Sequence, residues 1–273
     1  MDAAGTYSLA DIKSLETPKA LRAAIRRGQY TGHTTGLAPG SVQGNVVILP
    51  LGWAEEFLRF CEANPKPCPV LAVGEPGSPS LPHLGEDIDI RIDVPRYRVF
   101  REGVEVETPT DIAHLWRDDF VTIVLGCSFT FEHALLDAGL KIHHIDANKN
   151  VPMYVTNIET VATERFKGPM VVTMRSFKPR DAIAAVQITS RYPKVHGAPI
   201  HIGFPEAIGL HDLTQPDFGD APDLEPGELP VFWACGVTPQ LALERARPPL
   251  SITHFPGHML VTDIQNADLV SSS

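Results

Sequence analysis

The chain has 273 residues, is 43% hydrophobic and carries 23 Lys and Arg against 33 Asp and Glu, a net charge of −10. That length buries a core without staples and admits one large domain or two modest ones. The acidic balance argues against nucleic acid or an anionic membrane as main partner, since either calls for a basic footprint, while a small anionic substrate in a local arginine pocket stays open.

The 25 prolines are well above the average usage of about 5%. With 21 glycines they predict tight turns between buried elements, where functional groups tend to be mounted. No apolar run approaches the roughly 18 residues of a membrane span. The start, M-D-A-A-G-T-Y-S-L-A-D, lacks the basic and apolar parts of a secretion signal. Cys61, Cys68, Cys127 and Cys235 form no C-x-x-C pair and read as reduced thiols in a cytoplasm.

Thr17-Pro18 opens the first clear helix, with Leu21, Ala24 and Ile25 on one face, Arg22 and Arg26 on the other, and Gly28 as stop. Gly28, Gly32, Gly36, Gly40 and Gly44 then predict an ordered loop. Val46–Leu49 reads as a strand, Trp53–Cys61 as a helix and Val70–Val73 as a strand, a β-α-β unit. D-I-D-I-R-I-D-V, Asp87 to Val94, alternates as a half-buried strand does. Tyr97–Phe100 and Val104–Val106 flank a hairpin turn, and Thr110–Trp116 reads as a short helix. Phe120–Leu125 is a central strand, followed by G-C-S-F-T-F-E and a helix to Gly139. Beyond it come strands near Met153–Val155 and Met170–Met174, helices around Glu159–Arg165 and Pro179–Ile188, and strands at Ile200–Ile202 and Val231–Trp233. A surface loop at 215–230, a helix at Pro239–Arg245 and strands at Ser251–Thr253 and Met259–Asp263 complete the series. This alternation predicts an α/β fold with a mixed sheet. Residues 1–127 and 195–273 form the main domain, and 128–194 a smaller inserted one.

Cys127 lies where a strand turns into a helix, a place that binds anions and lowers a thiol pKa, with Glu132 in the first helical turn. Buried cysteine is also an ordinary small hydrophobe. Cys235 occupies a second strand-to-helix junction, so the two thiols share one crevice if their strands are neighbours. His254 and His258 flank Pro256-Gly257, which forbids a helical H-x-x-x-H pair. Asp263 stands ready to orient an imidazole, and with the two histidines it also makes an undiagnostic metal triad. Arg175 and Arg96 are candidate carboxylate forks. Ser128, Tyr154 and Asn157 are candidate substrate donors. His143-His144-x-Asp146 ranks lower as a cluster, because neighbours on a strand point oppositely. The chain lacks the phosphate-loop, dinucleotide, G-x-S-x-G and H-E-x-x-H motifs.

G-L-A-P-G-S-V-Q-G-N with V-I-L-P, D-V-P-R-Y, G-C-S-F-T-F-E, N-V-P-M-Y, G-P-M-V-V-T-M-R, W-A-C-G-V-T-P-Q and T-H-F-P-G-H-M-L-V-T-D occur in that order. Together they resemble the D-glutamate cyclase family, whose bacterial members are called hydro-lyases, over residues 18–264. Ser176-Phe177 departs from the proline-containing continuation expected there. The resemblance implies a two-part α/β fold, a three-layer main domain with a two-layer α+β domain inserted, and loss of water from a small acid. The named activity closes D-glutamate to 5-oxo-D-proline.

Such chemistry needs a base for the ammonium, an acid for the departing oxygen, donors for an oxyanion and a fork for a carboxylate. The assignment expected here gives proton transfer to His254 or His258 with Asp263, and Glu132 as second acid/base. Backbone N–H groups at Cys127 and Ser128 face the oxyanion, and Arg175 holds a carboxylate. An acyl-cysteine route is disfavoured, because a thioester from a free carboxylate is uphill. The residues single out no cofactor, and a divalent metal on His254, His258 and a carboxylate is the open alternative. A homo-oligomer and a non-catalytic small-acid binding protein also stay open.

Overall fold

A computed structural model describes residues 7–15, 17–147 and 149–270. Residues 1–6, part of the stretch read above for a secretion signal, lie outside them. The elements begin with α1 (Leu9–Lys13), α2 (Pro18–Arg26), β1 (Ser41–Pro50), α3 (Leu51–Ala63), β2 (Val70–Val73), β3 (Tyr97–Arg101), β4 (Val104–Glu107) and β5 (Phe120–Gly126). They continue with α4 (Phe129–Asp137), α5 (His143–Asp146), β6 (Met153–Glu159), β7 (Pro169–Phe177), α6 (Pro179–Thr189) and β8 (His201–Ile202). Last come β9 (Leu229–Ala234), α7 (Val237–Ala246), β10 (Ser251–His254) and β11 (Leu260–Gln265).

The strands form a seven-stranded sheet, β2-β5-β1-β10-β3-β4 with β11 also on β1, and a four-stranded sheet, β6-β7-β9-β8. The fold is α/β as expected, but every pair between these strands is antiparallel rather than mixed. The β1-α3-β2 crossover is present, yet β5 inserts between its two strands and runs against both. On one face of the large sheet α3 and α7 bury Phe57, Phe60, Ala242 and Leu243. On the other, segment 81–94 supplies Leu81, Leu84, Ile88, Ile90 and Val94. The small sheet packs Trp233 and Phe177 against Phe131 and Leu135 of α4 and Ala182 and Ala185 of α6. It takes two strands from within 128–194 and two, β8 and β9, from beyond residue 194.

Two predicted elements are replaced by turns. Segment 87–94 buries its isoleucines but forms no strand, because its aspartates capture local N–H groups. Asp89 accepts from Arg91 N at 3.0 Å, and Asp93 accepts from Asp89 N at 2.8 Å. Segment 159–165 forms no helix, because side chains satisfy its backbone. Asn64 exchanges two 2.8 Å bonds with Val161, and Glu56 accepts from Arg165 N at 2.7 Å.

Arg22 is a third correction. The pattern sets it opposite Leu21, Ala24 and Ile25, yet it is fully buried, one turn from Ile25 at the edge of the apolar stripe. Its guanidinium bonds Val261 O at 3.0 Å and ion-pairs with Asp87 and Asp263.

Candidate active site

The site is built on the C-terminal ends of β5 and β9. β5 ends at Gly126, where a Cβ would lie 2.1 Å from the Lys194 carbonyl oxygen. Only glycine therefore lets the turn at 193–195 seat against the strand end. The Cys127 sulfur accepts the Phe129 N–H at the start of α4. Cys235, after β9, does the same for Val237 N–H at 3.5 Å, opening α7. Each thiol thus precedes the N-cap residue, Ser128 or Gly236, and accepts from the first N–H of the helix that follows. Burial pushes Cys127 up to about 12 and Cys235 to about 11, so each is a protonated thiol at neutral pH, contrary to the lowered pKa expected at a helix start. All four cysteines are free. Asn45 of β1 ties the junctions together, donating to Gly126 O at 2.9 Å while its amide packs on Gly236.

Between the junctions lies an ion cluster. Arg175, on β7, donates from Nε to Glu132 at 3.0 Å and again from Nη2. It also reaches Ser128 Oγ at 3.3 Å and Thr173 Oγ1 at 2.9 Å. The rings of Phe131 and Trp233 lie 5.1 and 5.4 Å from its guanidinium carbon. On the carboxylate, His144 Nε2 lies 3.2 Å from Glu132 Oε1, at an angle short of a linear hydrogen bond and with no other partner. Burial pushes the Glu132 carboxyl up, but Arg175 and then His144 outweigh it and hold the carboxyl at about 2. Glu132 is therefore a fixed anion at neutral pH, which removes it as the second acid/base. An open cleft reaches this cluster, lined by His144, Arg175 and Ser176 together with Lys149, Asp220 and Asp223.

His254, His258, Arg96 and Asp263 lie apart from it. β10 and β11 pair in succession with the same edge of β1, and the register jumps between Val47↔Thr253 and Gly44↔Leu260, so F-P-G-H-M, residues 255–259, loops out of an interrupted strand whose first part ends at His254. His254 is buried, its Nδ1 taking Val46 N–H at 3.1 Å. His258 Nδ1 donates to Pro256 O at 2.9 Å, and its ring stacks on His33 at 5.9 Å. Arg96 lies over the Phe255 ring at 5.6 Å. Asp263 pairs with Arg22 at 2.9 Å instead of orienting an imidazole. Among the described residues, no hydrogen bond or ion pair joins this group to the Glu132–Arg175 cluster. Nor do its histidines converge with a carboxylate. Among the described residues, the one group of three or more His, Cys, Asp or Glu side chains whose donor atoms converge is His143, Glu225 and Glu228, already tied to Lys141 and Ser176.

Burial pushes His254 down to about 4, against a weaker pull from the Val46 carbonyl. The unfolded side chain takes up a proton near 6.5, so stability is full above that pH and falls as the pH drops towards 4, by about 3 kcal/mol for this group. Asparagine keeps an acceptor for Val46 N–H but has no titration. Urea unfolding of His254→Asn should therefore show a shallower acid loss between pH 6.5 and 4 than the parent protein. Equal slopes would mean that His254 does not titrate in this way.

Tyr154 is buried on the opposite face of the small sheet, beside Val172 and Met174, its hydroxyl donating to Leu213 O at 2.6 Å. Asn157 is exposed and packs on Gly209. Neither reaches the cleft wall. Asn45 and Thr173 were missed, and His144 was underrated. Asn45 carried one signal, an amide at the head of an otherwise apolar strand.

The two-sheet α/β fold sets the buried Glu132–Arg175 ion pair beside an open cleft, which makes this cluster the candidate site. Residues 121–263 match the D-glutamate cyclase family model, and the chain belongs to that family. A protein named "Putative hydro-lyase" from Verminephrobacter eiseniae is 62% identical over 248 residues, 91% of this chain and 90% of that one. Proteins of the same description from Bradyrhizobium diazoefficiens and Bordetella petrii are 58% and 57% identical, covering 92% and 90% of this chain and 94% and 93% of theirs. A nitrogen repressor-like protein from Methanococcus jannaschii aligns with a TM-score of 0.39 at 11% identity, over 94% of this chain and 98% of that one.

Proposed function

We propose that the protein is a hydro-lyase that closes D-glutamate to 5-oxo-D-proline with loss of water. One observation carries the reading: a buried arginine, held by Glu132, Ser128 and Thr173, stands on the wall of an open cleft. A guanidinium fixed in that way presents positive charge to an entering carboxylate without rearranging. The membership in the D-glutamate cyclase family supports the same substrate class.

In the reaction the amino nitrogen bonds to the γ-carboxyl carbon and one carbon–oxygen bond breaks. The ammonium group gives up two protons and the departing oxygen leaves with both as water, so charge is unchanged. Arg175 holds a substrate carboxylate, and Glu132, ionised throughout, keeps the guanidinium aligned. Cys127 remains a thiol and forms no thioester.

Proton NMR with D-glutamate, L-glutamate and a panel of hydroxy acids, with and without chelator, tests the reading. Conversion of D-glutamate to 5-oxoproline is the expected result; reaction of a hydroxy acid alone, lost on chelation, would replace it with metal-dependent dehydration. Tight binding without turnover of any member would leave a binding protein. Serine retains an acceptor for the Phe129 N–H, so Cys127→Ser should keep turnover within about threefold. A loss of 10²-fold or more would return the thiol to the chemistry.

A further inference from the structure

We propose that His144 is the proton carrier of this site, moving both protons from the substrate nitrogen to the departing oxygen. The inference rests on the cyclisation reading. His143 and His144 sit on the one-turn helix α5, not on a strand, so they point in different directions. His143 Nε2 meets Glu228 at 3.0 Å, while His144 Nε2 faces Glu132 at 3.2 Å. The imidazole of His144 is nine-tenths buried, lies on the cleft wall, and has no protein partner for Nδ1 among the described residues. One nitrogen thus lies in charge contact with a fixed carboxylate and the other is free for a ligand, so the field of the carboxylate favours the tautomer that keeps its proton on Nε2. Glu132 cannot carry the proton itself, because Arg175 holds it ionised. His254 and His258 are spent on backbone groups away from the cleft.

The cycle closes without a second acid. Neutral Nδ1 takes one proton from the ammonium, giving a nucleophilic amine, and passes it to an oxygen of the γ-carboxylate. After the carbon–nitrogen bond forms, Nδ1 takes a second proton from nitrogen and gives it to the hydroxyl that leaves. The products are the lactam and water, and the imidazole returns to its starting state.

The test compares the parent protein with His144→Ala and His144→Gln, following 5-oxoproline from D-glutamate, with binding of 5-oxo-D-proline measured separately. Both variants should lose 10²-fold or more in kcat with KM and product binding within about threefold. Added imidazole should restore turnover to His144→Ala. A kcat within tenfold of the parent in either folded variant, or a loss that imidazole does not rescue, overturns the proposal while leaving the cyclisation reading intact. If His144→Ala does not fold, His144→Gln, which keeps a polar group towards Glu132, decides by its kcat. A parent protein that does not convert D-glutamate removes the cyclisation reading and this proposal together.

Discussion

Arg175→Met is expected to destabilise the protein by about 3–5 kcal/mol, because it strands the Glu132 carboxylate in the interior. Both side chains are almost fully buried, at 1% and 6% exposure, so water at the cleft wall replaces the missing partner only in part. The sign of the pH dependence identifies the cause. In the parent protein the carboxyl is held at about 2 against about 4.5 when unfolded. Its contribution is therefore present above pH 4.5 and lost as the pH falls towards 2. In Arg175→Met, burial is opposed only by His144, so the folded pKa of the carboxyl rises relative to the parent and acidification should narrow the variant's gap to it. Urea titrations at pH 7 and pH 5 read both effects. Glu132→Met added to Arg175→Met removes the stranded charge and should recover most of the loss. A single-variant cost below 1 kcal/mol, or a double variant as unstable as the sum, would show that the pair is not a buried ion pair of this kind.

Gly126→Ala is the second large effect, about 3 kcal/mol or more, with loss of turnover. Its new methyl group would meet the Lys194 carbonyl at 2.1 Å and a Val195 methyl at 2.9 Å. A main-chain oxygen cannot swing aside as a side chain does, so either the strand end or the turn at 193–195 moves. Moving the strand end shifts Cys127, Ser128 and Glu132 with it. Gly52→Ala is the matched control: nothing lies within 4 Å of its added carbon, and helix α3 should gain about 0.5–1 kcal/mol. Thermal or chemical denaturation that ranked the two variants together would remove the steric explanation.

The contrast between these positions shows what was legible before the structure. Helix starts such as Thr17-Pro18, and buried strands such as Phe120–Leu125, announce themselves through local chemistry, and those elements formed. The failures share a cause. Asp87–Val94 alternates like a strand and Glu159–Arg165 has a helical composition, yet distant or local polar side chains satisfy their backbones in other ways. The site divides along the same line. Cys127, Ser128, Glu132, Arg175 and Cys235 were legible because strand-to-helix junctions are local motifs. His144 was passed over because its segment was judged as a strand, and its value lies in a carboxylate on another helix. His254, His258 and Asp263 drew attention by proximity in sequence, but each found its partner elsewhere: Val46, His33 and Arg22.

The placement of β1 also bears on how the molecule is made. β1 is among the first strands synthesised, yet one edge waits for β5 and the other for β10 and β11, with His254 and Val46 separated by 208 residues. Until residue 265 leaves the ribosome, a strand of ten residues that is buried along almost its whole length in the finished fold has an open ladder of N–H and C=O groups. Nascent chains arrested before β10 are therefore the aggregation-prone species of this protein, and its folding is slow for its size because its most distant contacts are its central ones.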